Sequence, residues 1–296
     1  MRLLIGTWDS AWGHTWAVRG NGKVYALRSL AEGSSLCVFD AGTMRLLKEF
    51  PEPGAHPCHI TLLLDQAILA DYTSGTLSVF PLDPDGMPCG EAGNYSFGGK
   101  LPHIHSSWVT PDGGHLIVAD LGTDAILKFS LTGGKIDIGS CTRFEMPAGS
   151  GPRHCTFIGD RLYVSTERSD EILVLGWPSM ALLQRCLVNE ERPGGGAHIL
   201  QSPDRRFIYA SSRLANDGIA TFAVGADGLL EKVAYTPTGR HPRHFCLTPD
   251  GESLLVACRD DDVVQFFDRK PDGSLSFSGQ EIEIEKPVYV EVYEED

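Results

Sequence analysis

Six of the ten histidines fall at regular intervals. His14, His59, His105, His154, His198 and His244 are separated by 45, 46, 49, 44 and 46 residues, and Tyr289 follows after another 45. Imidazole is the side chain whose ordinary pKa lies nearest neutrality, so recurrent histidines are candidate proton carriers, metal ligands or hydrogen-bonding caps. One of the six is preceded by arginine, in Gly151-Pro152-Arg153-His154, and Glu167 follows 13 residues after His154. A guanidinium that can grip an oxyanion, an imidazole and a carboxylate together suit acid–base chemistry on an anionic substrate. Arg213 and Arg243 stand near the corresponding points of the next two segments and offer further positive charge.

A spacing in the forties implies a repeated structural unit. After each histidine comes an apolar run, a turn, a second run ending near Arg, Asp or Glu, and a third closing near an aromatic residue. Turn signals such as Thr110-Pro111-Asp112-Gly113, Ser202-Pro203-Asp204 and Thr248-Pro249-Asp250-Gly251 separate the first two runs. No helical period is sustained. Alternating residues predict half-buried antiparallel strands, and the repeat predicts an all-β fold, a β-propeller, as one domain over residues 1–296. Pro287-Val288-Tyr289 matches Pro242-Arg243-His244, so the last strand opens a seventh blade whose second strand is the N-terminal run Arg2 to Trp8. Asp9 to Gly13 leaves no room for a third and fourth strand there. The expectation is therefore seven blades with an incomplete one shared by the two termini, or six blades with an extra flap.

In such a fold the first strand of each blade lines the central channel. The recurrent histidines are then expected at the channel mouth, beside the residues ending each second strand: Trp8, Arg28, Asp71, Asp120, Glu167, Arg213 and Arg259. A metal held by these imidazoles is disfavoured, because they come from different repeats with no carboxylate in local spacing; no cofactor is expected. The formal charge of −14 opposes nucleic acid and anionic membranes, leaving a small anionic molecule as the expected partner of a local basic site. The 42% hydrophobic and 22% charged residues are those of a soluble globular protein, and a monomer or weak homo-oligomer is expected. Eight cysteines mostly within strand runs, without a CxxC pair or a leader, read as reduced core residues of a cytoplasmic protein. No stretch is apolar enough to span a bilayer.

The motifs also resemble those of a known family, that of the propeller-type lactonases, which includes bacterial 6-phosphogluconolactonases and carboxymuconate lactonising enzymes. The resemblance rests on His105-Ser106 before a Thr-Pro-Asp turn, on Gly151 to His154 with Glu167 behind it, on Ser202-Pro203-Asp204 leading to Phe207-Ile208-Tyr209 and Arg213, and on Pro242-Arg243. It implies a lactone hydrolase with His105, Arg153 and Glu167 as the catalytic group and Arg243 as an anion binder. His59, His154, His198, Arg213 and His244 complete the expected substrate-binding set. The chain departs from the family pattern at Thr166, where Asn is usual, and at Ile199-Leu200-Gln201, where an Ile-His pair is usual. A cycloisomerase or lyase could use the same residues, and a non-catalytic binding propeller is the remaining alternative.

Overall fold

A computed structural model describes residues 2–8, 13–30, 33–192 and 194–294. Apart from two single turns of 3-10 helix, Ile138–Ser140 and Arg259–Asp261, the regular elements among these residues are β-strands. Among the described residues no helix is long and apolar enough to cross a membrane. Strand pairing produces seven antiparallel sheets, six of four or five strands and one of two. The two-stranded sheet pairs Arg2–Thr7 with Pro287–Tyr293, as the matching terminal motifs predict. Asp9 to Trp12, on which the argument about missing strands turned, lie outside the described residues.

Packing divides the chain into two compact units. One comprises Met1–Trp8 and Arg153–Asp296; the other comprises Asp9–Pro152. The first holds the two-stranded sheet and the sheets that begin at Pro152–Ile158, Gly196–Gln201 and Pro242–Leu247. The second holds those that begin at His14–Gly20, Pro57–Leu62 and Ile104–Val109.

Within each unit successive sheets share a core. Tyr163, Ile172 and Val174 of one sheet pack with Ile199, Ile208 and Phe222 of the next. Phe207, Tyr209 and Ile219 meet Phe245, Val256 and Phe267 in the same way, and in the other unit Ile68, Leu77 and Val79 meet Ile104, Val118 and Phe129. Each large apolar side chain so enclosed contributes roughly 1.5–3 kcal/mol. This corrects the expectation of half-buried alternation. Gln66–Asp71, His115–Asp120 and Arg161–Thr166 are buried at every position but the first, and Phe207–Ser212 throughout, because these strands are covered on both faces. Polar exposure is left to the last strand of each sheet, such as Leu46–Pro51 and Ala181–Leu187.

The Pro-Asp turns show why they recur. Asp112 Oδ1 accepts from the Thr110 hydroxyl at 2.6 Å and the Gly114 amide at 3.0 Å. Asp250 Oδ1 does the same with Thr248 at 2.5 Å and Glu252 at 3.0 Å, and Asp204 with Ser202 at 2.5 Å and Arg206 at 3.1 Å. The residue after the aspartate takes a left-handed φ, +67° at Gly113 and +71° at Gly251, and Arg205 adopts +57° in the third copy. The cysteines divide differently from expectation. Cys37, Cys155, Cys186 and Cys258 are buried, whereas Cys89 and Cys141 are exposed outside strands; none of the eight is in a disulfide.

Candidate active site

The recurrent histidines do not quite open their strands. His59, His154, His198, His244 and Tyr289 are each the third residue of one, His105 is the second, and only His14 is the first. Between strand start and histidine, or just after it, the pairing register slips: at Pro57/His59, Ile104/Ser106, Gly196/Ile199, Pro242/His244 and His14/Ala17. A bulge at this point re-aims the side chains on either side of it, so the repeat encodes a local twist together with a residue type. The residues expected at second-strand ends also fall there, Asp71 and Asp120 as last residues and Glu167, Arg213 and Arg259 one position beyond. Arg28 is the exception: its strand continues to Leu30, and its Nη1 meets both oxygens of Glu49 at 3.1 Å.

In the unit that begins at Arg153, charge converges on Glu167. Arg153 Nε and Arg213 Nη2 both reach Glu167 Oε2, each at 2.9 Å. Burial pushes the carboxyl towards protonation, but Arg213, Arg153 and Arg243 outweigh it and hold the pKa below the ordinary value. Glu167 is therefore an anion at neutral pH. Both gripping arginines are almost wholly buried, and both also donate to backbone: Arg153 Nη1 to the Ala197 carbonyl at 2.9 Å, Arg213 Nε to Gly195 at 2.9 Å and Nη2 to Gly196 at 3.2 Å. Glu167, with 27% of its side chain exposed, and the half-buried Arg243 are the members solvent can reach. Three guanidiniums around one carboxylate leave the cluster with excess positive charge in a chain of formal charge −14.

Behind Arg153 runs a chain of imidazoles. Arg153 Nη1 lies 3.3 Å from His154 Nε2, and since a guanidinium only donates, the ring's proton sits on Nδ1. That nitrogen lies 2.8 Å from His198 Nδ1, which must accept. His198 in turn packs on His244 at 4.1 Å between centroids, and His244 on Tyr289 at 4.7 Å. Burial, with Arg153 and Arg243 adding to it, lowers the His244 pKa to about 3, so this ring is neutral. Arg243 lies over the Trp8 indole at 4.9 Å and Arg259 at 5.9 Å, and Trp8 is half exposed.

Several contributors escaped the sequence reading. A Cβ on Gly195 would come within 2.0 Å of the Arg213 carbonyl oxygen, and one on Gly196 within 2.1 Å of that of Thr166. The run Gly194-Gly195-Gly196 was the available signal. Asp170, fully buried at φ +56°, accepts from the Ser212 hydroxyl at 2.7 Å; burial, offset in part by that bond and by Arg213, raises its pKa to about 6.

The structure places His59 and His105 in the other unit. His59 is sandwiched between Trp16 and Trp108, at 4.5 and 4.7 Å, and accepts from the Ser107 amide at 3.4 Å. His105 is buried edge-on to Tyr72 at 5.8 Å, and its carbonyl accepts from the Cys58 thiol at 3.1 Å. Their neighbours Asp71 and Asp120 bind local groups: Asp120 Oδ1 accepts from the amides of His103, Gly122 and Thr123 at 3.0, 3.1 and 3.2 Å. Among the described residues no three His, Cys, Asp or Glu side chains are grouped so as to hold a metal ion.

Known proteins are similar to this chain over most of its length. A 6-phosphogluconolactonase of Bacillus subtilis is 30% identical over 278 residues, covering 85% of this chain and 77% of the relative. One from Formosa agariphila is 29% identical, covering 82% and 75%. Among solved structures, a provisionally assigned 6-phosphogluconolactonase from Bacteroides uniformis superposes with a TM-score of 0.90 at 32% identity, covering 98% of both chains. Residues 15–292 match the family described as lactonase, 7-bladed beta-propeller, and the chain belongs to that seven-bladed β-propeller lactonase family.

Proposed function

We propose that the protein hydrolyses a small anionic sugar lactone of the 6-phosphogluconolactone type at the cluster around Glu167. The observation that carries this reading is a solvent-reached carboxylate kept ionised by three arginines, two of them buried and committed to holding it. The names of the Bacillus subtilis and Formosa agariphila relatives support the substrate class. Lactone opening needs a water made nucleophilic and positive charge near the carbonyl oxygen as it becomes anionic. Glu167 takes the proton from water, a contribution of roughly 10²–10⁴-fold. Arg153 and Arg213 fix the carboxylate and supply positive potential near the developing oxyanion, while Arg243 holds the phosphate or carboxylate tail. The buried histidines His154, His198 and His244 act as support for Arg153. His105 enters as a further proton carrier on the family resemblance alone.

Purified, chelator-treated protein should accelerate hydrolysis of 6-phosphoglucono-δ-lactone above the spontaneous rate, and Arg153→Ala should abolish that acceleration. Activity equal in the variant and the parent would remove the cluster from the mechanism. A rate at background for the parent would withdraw the phosphorylated substrate. His105→Ala in the same assay decides the role of that residue, since a kcat within twofold of the parent would exclude it from proton transfer.

A further inference from the structure

His241 belongs to none of the motifs above. It precedes Pro242, adopts φ +60° and is 6% exposed. A side chain with a β-carbon keeps that conformation only where its surroundings over-determine it. Here the His241 amide donates to Asp217 Oδ2 at 2.6 Å and its carbonyl accepts from the Arg259 amide at 3.1 Å.

The ring bridges two charged groups. Its Nε2 lies 3.3 Å from Arg213 Nη1, and because the guanidinium has only protons to give, Nε2 carries a lone pair and the proton sits on Nδ1. Nδ1 faces Asp260 Oδ2 at 3.5 Å. Burial first, then Arg213, Arg259 and Arg243 against Asp260, lower the ring's pKa to about 3, which keeps it neutral and able to accept. Arg213 is thereby held on all sides: Nε by Gly195, Nη2 by Gly196 and Glu167, Nη1 by His241.

We propose that His241 is a positioning residue of the lactonase site: Asp260 sets its tautomer, the ring orients Arg213, and Arg213 keeps Glu167 ionised and in place. Only the kinetic part of this inference rests on the lactonase reading. The groups facing Glu167 are Arg213, Arg153 and Arg243, so loosening Arg213 weakens the hold of one of three positive charges on the carboxylate and the Glu167 pKa rises. Because Glu167 works as the anion, the acid limb of kcat/KM moves to higher pH with it.

The test is a carbon-detected NMR titration of the Glu167 carboxyl, assigned by its loss in Glu167→Gln, in the parent, His241→Leu and His241→Gln. The midpoint should rise in the leucine variant and return towards the parent's in the glutamine variant, whose amide oxygen can accept from Arg213 while its amide nitrogen faces Asp260. In lactone hydrolysis His241→Leu should lower kcat roughly tenfold with a smaller change in KM, and shift the acid limb in the same direction. An unchanged Glu167 midpoint in folded His241→Leu, or the same shift in both variants, would overturn the proposal. Should His241→Leu fail to fold, Asp260→Ala decides: by removing the acceptor at Nδ1 it frees the ring to take the other tautomer and should raise the midpoint too, and no change would again overturn the assignment. A parent without lactonase activity would refute the kinetic reading, while the carboxyl titration would still decide the positioning role.

Discussion

Asp120 and Glu167 occupy the same point of the repeat, at or just past the end of a second strand, and they do different work. Asp120 is 1% exposed, and one of its oxygens accepts from three backbone amides while the other takes the Thr123 hydroxyl. It fastens a turn. Glu167 makes both of its short bonds to arginines and keeps a quarter of its side chain in solvent. A carboxylate at one repeat position thus fastens a turn where local amides and a hydroxyl fill its oxygens, and is proposed to be chemical where two buried arginines hold it and leave it reachable. The histidines divide in the same way. His59 sits in a stack of tryptophans, whereas His154 and His198 form a hydrogen-bonded line behind Arg153.

Exchanging the two acids for their amides is the sharpest way to break this comparison. Glu167→Gln should lower kcat by about 10²–10⁴-fold with the fold intact, whereas Asp120→Asn should cost about 1–2 kcal/mol of stability and leave kcat unchanged. Steady-state kinetics and thermal unfolding of both variants read this directly; comparable kcat losses would erase the distinction. Next in size is Gly195→Ala. Its Cβ would meet the Arg213 carbonyl at 2.0 Å, so the backbone carrying Arg213 must move, and kcat should fall by roughly 10²-fold. Full activity in this variant would show that the arginine's position is not critical. Arg243→Ala is expected to act mainly on KM, raising it at least tenfold if the contact is equal in ground and transition states; an equal loss in kcat would make Arg243 part of the chemistry.

A smaller effect is expected on stability, and its sign follows from Asp170. Its folded pKa of about 6 lies above the ordinary carboxylate value, so the contribution to stability is fully present below the unfolded pKa and is lost as pH rises to about 6. Asp170→Asn, which can still accept from Ser212 and tolerates the left-handed φ of +56°, should stabilise the protein by about 2 kcal/mol at neutral pH and by little near pH 4. A melting temperature raised equally at both pH values would rule out the titration. Least of all should be lost in His59→Phe, which preserves the stack between Trp16 and Trp108; a change in kcat beyond twofold would return His59 to the site.

Much of this was legible in residue order because repeats write themselves in spacing. The 44- to 49-residue interval between histidines, the Pro-Asp turns and the match of Pro287-Val288-Tyr289 to Pro242-Arg243-His244 predicted the sheets and their pairing at the termini. Arg153 and Glu167 were visible because they flank one hairpin, within 14 residues of each other. Harder to see was burial on both faces of the second strands, which depends on neighbouring sheets and mimics nothing in a half-exposed pattern. Equally hidden was His241: next to Pro242-Arg243 it looks like a turn residue, and only the fold brings its ring 3.3 Å from an arginine 28 positions earlier.

The sequence by itself determined the all-β repeat, the shared terminal sheet and the convergence of arginine and glutamate, since each of these is a matter of periodicity or local spacing. Which members of the repeated set are grouped with arginines, and so proposed to do chemistry, was decided only in the tertiary structure. Burial, donor supply and the direction a bulge gives a side chain are properties of the assembled sheets, and they separate Glu167 from Asp120 where residue type and repeat position do not.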